Sequence, residues 1–261
     1  MYRGERASQI LAEIERCGFV TVTHLAETIH ISPSSIRRDL GELEKRGQIK
    51  RSYGGAELAE PRGKAVPFRF RTHEQAAKKR LIARSAVGLI KEGDTIFLDG
   101  SSTCLFLAEL LIDIKGILVV TNSIDITALL SRYHTRMLCT GGMISEDNRS
   151  VLTDDIAEQT LRSLHADIAF FSTRSLDRDG TVSDCYAREV VLRRVMMEQS
   201  SRSVLLIDSS KLSRRSTFRQ CHVNELTHLI CDQPLSDFFL QAPGIDLIHA
   251  ASPSYGKENK A

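Results

Sequence analysis

The chain has 261 residues, 42% of them hydrophobic and 26% charged, with a formal net charge of +2; this is length for two domains and too little overall charge to announce a polyanion binder. Six cysteines (Cys17, Cys104, Cys139, Cys185, Cys221, Cys231) stand without any C-x-x-C pair, so neither a zinc ribbon nor a disulfide framework is expected, and no metal or cofactor. No run approaches the roughly 18 apolar residues of a membrane span, and MYRGERASQI lacks an apolar signal core, so a soluble, cytoplasmic protein without a membrane partner is expected.

Ile10, Leu11 and Ile14 recur at helical spacing until Gly18, which predicts a first helix; Leu25, Ala26 and Ile29 predict a second, ending near His30. Ser32 reads as the N-cap of a third helix with Pro33 in its first position, where the missing N–H costs nothing. At 100° per residue Ile36, Leu40 and Leu43 form its buried stripe. Ser34, Arg38 and Lys45 then project from the opposite side, with Arg37 on the flank. Gly47 ends the helix, and QIKRSYGGAEL continues as two short extended pieces, a wing. Three helices and a basic wing in this order have the form of a winged helix-turn-helix spanning 3–58, its motif at about 20–39. Small Ser34 and Ser35 let the helix approach the major groove of double-stranded operator DNA, Arg37 and Arg38 fork onto guanine or phosphate, and Lys45, Lys50 and Arg51 meet the backbone.

This segment resembles the DNA-binding domain of the DeoR family of bacterial transcriptional regulators. Its motif is matched by Ser35, Ile36, Arg37, Arg38, Asp39, Leu40, Gly47, Arg51, Gly54, Gly55 and Ala56. Ser35 replaces the family's threonine and Tyr53 its histidine, which makes Tyr53 a further DNA-contact candidate. Asp39 has a second reading, as the partner that holds an arginine in place.

A basic linker follows at 59–73. From Pro61 to Arg84 there are eight Lys or Arg against one acid, facing DNA phosphate or solvent. Beyond it seven apolar runs, TIFLD, ILVVT, RMLCT, DIAFFS, SVLLID, HLICD and IDLIHA, alternate with helical segments. That alternation predicts an α/β domain over 74–250 with a mostly parallel sheet, and a disordered tail at 251–261. Five runs end in small polar residues, DGSST, TNS, TGG, STRS and DSSK, and ligands of such sheets collect at the carboxyl ends of the strands. Ser101, Ser102 and Thr103, entering a helix, form the phosphate-loop candidate; Lys211 adds charge, and Asp99 and Asn122 hydrogen-bond sugar hydroxyls.

The resemblance extends here to the sensor domain of the same family, similar in fold to ribose-5-phosphate isomerase, through Arg71, Lys79, LDGSST, TNS, GG, Glu189 before Arg193 and Arg194, and DSSK. It implies a phosphorylated sugar or sugar-acid effector held by Ser101, Ser102, Thr103, Asn122, Gly142 and Lys211, and repression of a carbohydrate-utilisation operon as the default. Arg174 departs from the family's small neutral residues, which leaves it as a second anion contact or a solvated loop arginine. Operator half-sites call for a homo-oligomer, a dimer or tetramer. The alternative is a sugar-phosphate isomerase-like enzyme with an appended DNA-binding domain, but the paired-acid loop of those isomerases is replaced by STRSLDRDG, so no catalytic residue is assigned. Cys104, beside a helix start, is either a low-pKa thiol or a buried filler.

Overall fold

A computed structural model describes residues 3–17, 19–46, 48–52, 54–58, 68–241 and 244–251. Tyr53, Gly47, residues 59–67 of the expected linker and nearly all of the expected tail lie outside the described residues. The chain divides into two compact units, Met1–Phe70 and Arg71–Ala261.

In the first unit α1 (Arg3–Cys17), β1 (Phe19–Thr21), α2 (Val22–Ile29) and α3 (Pro33–Lys45) precede a hairpin of β2 (Ile49–Ser52) and β3 (Gly55–Leu58). Thr21 Oγ1 accepts the His24 N–H at 3.0 Å and starts α2, and left-handed His30 (φ 56°) closes it. Ser32 caps α3 ahead of Pro33, as the sequence predicts. The apolar stripes converge: Ile10 and Ile14 of α1, Leu25 of α2, and Ile36, Leu40 and Leu43 of α3 are buried together. Each such side chain contributes about 1.5–3 kcal/mol of burial free energy. The sequence reading had no strand at Phe19–Thr21, yet β1 completes an antiparallel sheet in the order β1-β3-β2. Only glycine fits where β3 crosses it, because a Cβ on Gly55 would enter the Val20 carbonyl and the Phe19 ring.

The second unit follows a short turn, α4 (Phe68–Arg71). Its elements are α5 (Ala76–Val87), β4 (Thr95–Leu98), α6 (Ser102–Leu111), β5 (Leu118–Thr121), α7 (Ile124–Leu130), β6 (Arg136–Cys139), β7 (Met143–Ile144), β8 (Leu152–Thr153), α8 (Asp155–Arg162), β9 (Ile168–Phe171), β10 (Ser175–Leu176), β11 (Thr181–Asp184), α9 (Ala187–Glu198), β12 (Ser203–Ile207), β13 (Phe218–His222), β14 (His228–Cys231) and β15 (Asp246–His249). Seven strands pair in parallel in the order β15-β14-β12-β9-β4-β5-β6, and they are the seven apolar runs. Alternation along β4 sends Ile96 and Leu98 to one core with α5, α6 and α7, and Phe97 to the other with α8 and α9. A separate antiparallel sheet, β10-β11-β13, packs Leu176, Val182 and Cys221 against Phe171, Leu205 and Ile207.

Strand order reverses between β4 and β9. From β4 the chain steps outward through β5 and β6, then returns to β9 on the other flank and continues through β12, β14 and β15. The two loops that leave this switch point are 99–101 and 172–174, and in an open parallel sheet that is where a crevice opens.

Candidate functional site

In the first unit Arg37, Arg38 and Lys45 are exposed on α3, and among the described residues none has a side-chain partner. The stripe of Ile36, Leu40 and Leu43 is buried on the opposite side, so the core itself orients the basic face outward. Ser34 is exposed and Ser35 half-buried; both hydroxyls lean on the cap, 3.1 and 3.0 Å from Ser32 Oγ. Arg51, expected at DNA phosphate, sits on β2 with Nη1 3.9 Å from Glu44 of α3, and its N–H donates to the same carboxylate at 3.2 Å. Lys50 is exposed beside it. Asp39 does hold an arginine, but one 33 residues away: Arg6 of α1 donates twice, at 2.9 and 3.0 Å, and fixes α1 against α3. That fork raises the already high pKa of Arg6, chiefly through its hydrogen bond to Asp39.

In the second unit the five polar loops follow β4, β5, β6, β9 and β12, which are adjacent in the sheet, so all five leave its same edge. Ser101 N-caps α6, its hydroxyl accepting the Cys104 N–H at 3.1 Å. The next residues, Ser102 and Thr103, therefore lie in the first turn, where helix N–H groups have no intrahelical acceptor. Two ammonium groups meet at the switch point. Lys79 Nζ reaches from α5 to Ser102 Oγ at 3.1 Å and to the Arg71 carbonyl. Lys211 Nζ donates to Ser172 Oγ at 2.9 Å and lies 3.8 Å from Asp208. Thr103 Oγ1 in the first turn of α6 and Asn122 Oδ1 in the loop after β5 are buried without a hydrogen-bond partner among the described residues.

The electrostatics follow from that crowding. Burial, then the charges of Lys211 and Arg71, bring the Lys79 ammonium down to about 7, against a smaller pull upward from Asp208. Lys211 is lowered as well, by burial and by Arg71 and Arg174, with Asp208 and Asp184 opposing. Half-buried Arg174 thus belongs to the same positive field. Gly142 shapes the neighbouring rim: at φ +103° a side chain there is strained, and its Cβ would stand 2.5 Å from the Thr153 carbonyl.

The carboxylate of Asp99, a sugar-hydroxyl candidate in the sequence, is engaged within the protein. One carboxylate oxygen accepts the Ser101 N–H at 3.1 Å; the other takes Arg193 Nε at 2.7 Å and the Ser172 N–H at 3.4 Å. Arg193, fully interior, also pairs with Asp184 and Glu189 at 2.7 Å each. Burial would lower Arg193, but the three carboxylates raise it further, so it stays charged. Burial raises Glu189 despite Arg193, and Asn148 Nδ2 donates to it at 2.8 Å. Asp184 is the reverse: burial would raise it, and Arg193 and the Cys185 N–H hold it low. Every carboxylate of this network is committed to a guanidinium, which leaves none placed as an open general base. Cys104 is the filler, buried, with its thiol pushed well up by desolvation and by Asp99.

Comparison with known proteins matches the description "DeoR-like helix-turn-helix domain" to residues 6–62 and "DeoR C terminal sensor domain" to residues 74–233. The chain belongs to the DeoR family. It is similar to an L-fucose operon activator of Haemophilus influenzae, 32% identical over 89% of this chain and 93% of that one. The L-fucose operon activator of Escherichia coli is 35% identical over 82% and 88%, and the transcriptional repressor AccR of Agrobacterium fabrum 30% over 87% and 89%. Among solved structures, ribose 5-phosphate isomerase A of Methanocaldococcus jannaschii aligns at 18% identity with a TM-score of 0.41, over 53% of this chain and 55% of that one.

As a DeoR-family member the chain is a DNA-binding transcriptional regulator with a sensor domain. Two parts of the sensor crevice escaped the sequence reading. Lys79 was read as one charge of a basic run and as part of the family resemblance but not as a residue of the effector site, and the pairing of Asp99 with Arg193 spans 94 residues. For Lys79 a signal existed: it precedes Ile82, Ala83 and Ala86 by three, four and seven positions, on the buried stripe of α5.

Proposed function

We propose that this DeoR-family regulator represses a carbohydrate-utilisation operon and that a phosphorylated sugar or sugar acid, held at the carboxyl ends of β4 and β9, weakens its grip on operator DNA. The observation that carries the effector is the pair of ammonium groups at the switch point, Lys79 buried and Lys211 half-buried, each on a loop serine, with Lys79 brought down to about 7. Like charges held close together are stabilised by a dianion, and perturbed basicity concentrates at such sites. Ser102, Thr103 and the first turn of α6 supply hydroxyl and N–H donors for phosphate, Asn122 faces the sugar, and Arg174 takes a second anionic group. Asp99 positions Ser101 and Ser172 for this cradle.

On the reading unit α3 enters the major groove, with Arg37 and Arg38 at base edges and Lys45, Lys50, Arg51 and Tyr53 toward phosphate. One winged helix covers few base pairs, so a dimer or tetramer places two or more copies on repeated half-sites. The protein works in the cytoplasm and turns nothing over; in support, Asp99, Asp184 and Glu189 are tied up by Arg193 and Asp208 lies beside Lys211. Among the described residues no helix is long and apolar enough to cross a membrane.

The test is operator binding by the full chain against a panel of phosphorylated sugars and sugar acids. One compound should release the operator without being consumed. Catalytic conversion of a sugar phosphate, or indifference of the complex to every anion, would overturn the reading; tighter binding with effector would mark an activator and remove the repressor assignment.

A further inference from the structure

Away from the DNA-reading face and the crevice, the first unit gathers three metal-ligating side chains at the junction of α1 and α2. Glu13 and Cys17 are four residues apart on α1 and share a helix face, and His24 comes from the first turn of α2. Glu13 Oε1 lies 2.7 Å from His24 Nε2 and 3.5 Å from Cys17 Sγ. All three ligand atoms fall within 4.8 Å of one another, and all three residues are half-buried. The spacing E-x3-C-x6-H follows no familiar zinc pattern, which is why the sequence predicted no metal; the fold brings the ligands together.

We propose that Glu13, Cys17 and His24 bind one Zn²⁺ ion that ties α1 to α2. Zinc takes carboxylate and imidazole at about 2.0–2.2 Å and thiolate at about 2.3 Å, so tetrahedral edges run to about 3.3–3.8 Å, close to the separations present here. The 2.7 Å hydrogen bond between Glu13 and His24 opens by about half an ångström as the ion takes the place of its proton, which passes through solvent to Nδ1 so that the imidazole stays neutral. Thiolate, carboxylate and neutral imidazole leave the Zn²⁺ centre with no net charge, which a half-buried site tolerates. On binding, the Cys17 thiol releases its proton to solvent and its sulfur lone pair forms the Zn–S bond; the fourth position goes to water. Hard Mg²⁺ and Ca²⁺ are disfavoured by the sulfur and nitrogen donors. Because Arg6 already fixes α1 to Asp39 of α3, a clamp between α1 and α2 braces the helix that reads DNA.

The test uses the full chain and Co²⁺ as the optical probe. Titration should produce thiolate-to-cobalt charge-transfer absorption with tetrahedral visible bands, displaced by Zn²⁺. Cys17→Ser should remove the charge-transfer band, and Glu13→Gln and His24→Ala should each weaken Co²⁺ binding at least about tenfold. Cys139→Ser, which alters an exposed thiol of the second unit, should change nothing. Circular dichroism establishes that each variant is folded. Absence of the band in the wild type, its survival in Cys17→Ser, or its loss in Cys139→Ser would overturn the site.

Discussion

Replacing Lys79 with methionine tests the crowded crevice directly. The fall of its basicity from 10.5 to about 7 means that the folded chain disfavours the ammonium by about 5 kcal/mol. The unfolded chain keeps this proton up to pH 10.5, whereas the folded chain releases it near 7, so the unfolded state binds more protons between those values. The penalty is therefore complete below about pH 7 and fades as pH rises toward 10.5. Lys79→Met abolishes the ionisation and also the hydrogen bonds to Ser102 and the Arg71 carbonyl, each worth about 1 kcal/mol. The variant should be more stable than wild type by about 3 kcal/mol at pH 6, with the advantage shrinking by up to about 1.4 kcal/mol per pH unit above 7. Urea unfolding of both proteins at pH 6, 7, 8 and 9 measures it. A variant less stable than wild type at pH 6 would refute the argument that two ammonium groups are held there under mutual repulsion. The same variant should lose the effector response, and wild-type affinity for a phosphorylated sugar should weaken as pH rises above 7, because the bound dianion requires the proton on Lys79.

Arg38→Ala should lower operator affinity by about 10–100-fold in a salt-controlled binding assay while leaving stability within about 0.5 kcal/mol, since the exposed side chain makes no hydrogen bond or ion pair with another described residue. Lys50→Ala should weaken all DNA sequences alike and reduce the salt slope by about 1, read from a salt titration. Arg174→Ala should cost the response to doubly anionic sugars more than to singly anionic ones in operator release; equal loss for both would remove Arg174 from the effector site. Arg193→Met leaves Asp99, Asp184 and Glu189 buried without their cation and should destabilise the sensor unit by about 3–5 kcal/mol in urea unfolding, less at pH 5 than at pH 8 because protonation relieves the orphaned carboxylates.

The contrast between Lys79 and the seven strands shows where sequence reading works on this chain. A parallel strand buried on both faces must be apolar along its length, so SVLLI and IAFF declare themselves, and the hydroxyl residues after them mark the carboxyl end of the sheet. The antiparallel sheet was missed because its strands carry polar residues: TVSD and FRQCH bury Ser183, Asp184 and Gln220 beside Val182 and Cys221, and the two residues of β10 are too few to show a period. Three-residue β1 escaped for the same reason. On α3 the logic ran cleanly, since Ile36, Leu40 and Leu43 fix one face and thereby assign Arg37 and Arg38 to the other. Applied to α5, the same phase argument places Lys79 with Ile82, Ala83 and Ala86 on the interior side, whereas Arg80, one residue on, lies exposed over the Phe106 ring. A lysine on a buried stripe contradicts its own chemistry unless something anionic meets it, so phase is the more informative property of that residue than its membership of a basic run. Distant pairs such as Arg193 with Asp99 or Arg6 with Asp39 leave no such local trace, because neither partner's neighbours in the chain change when the pair forms.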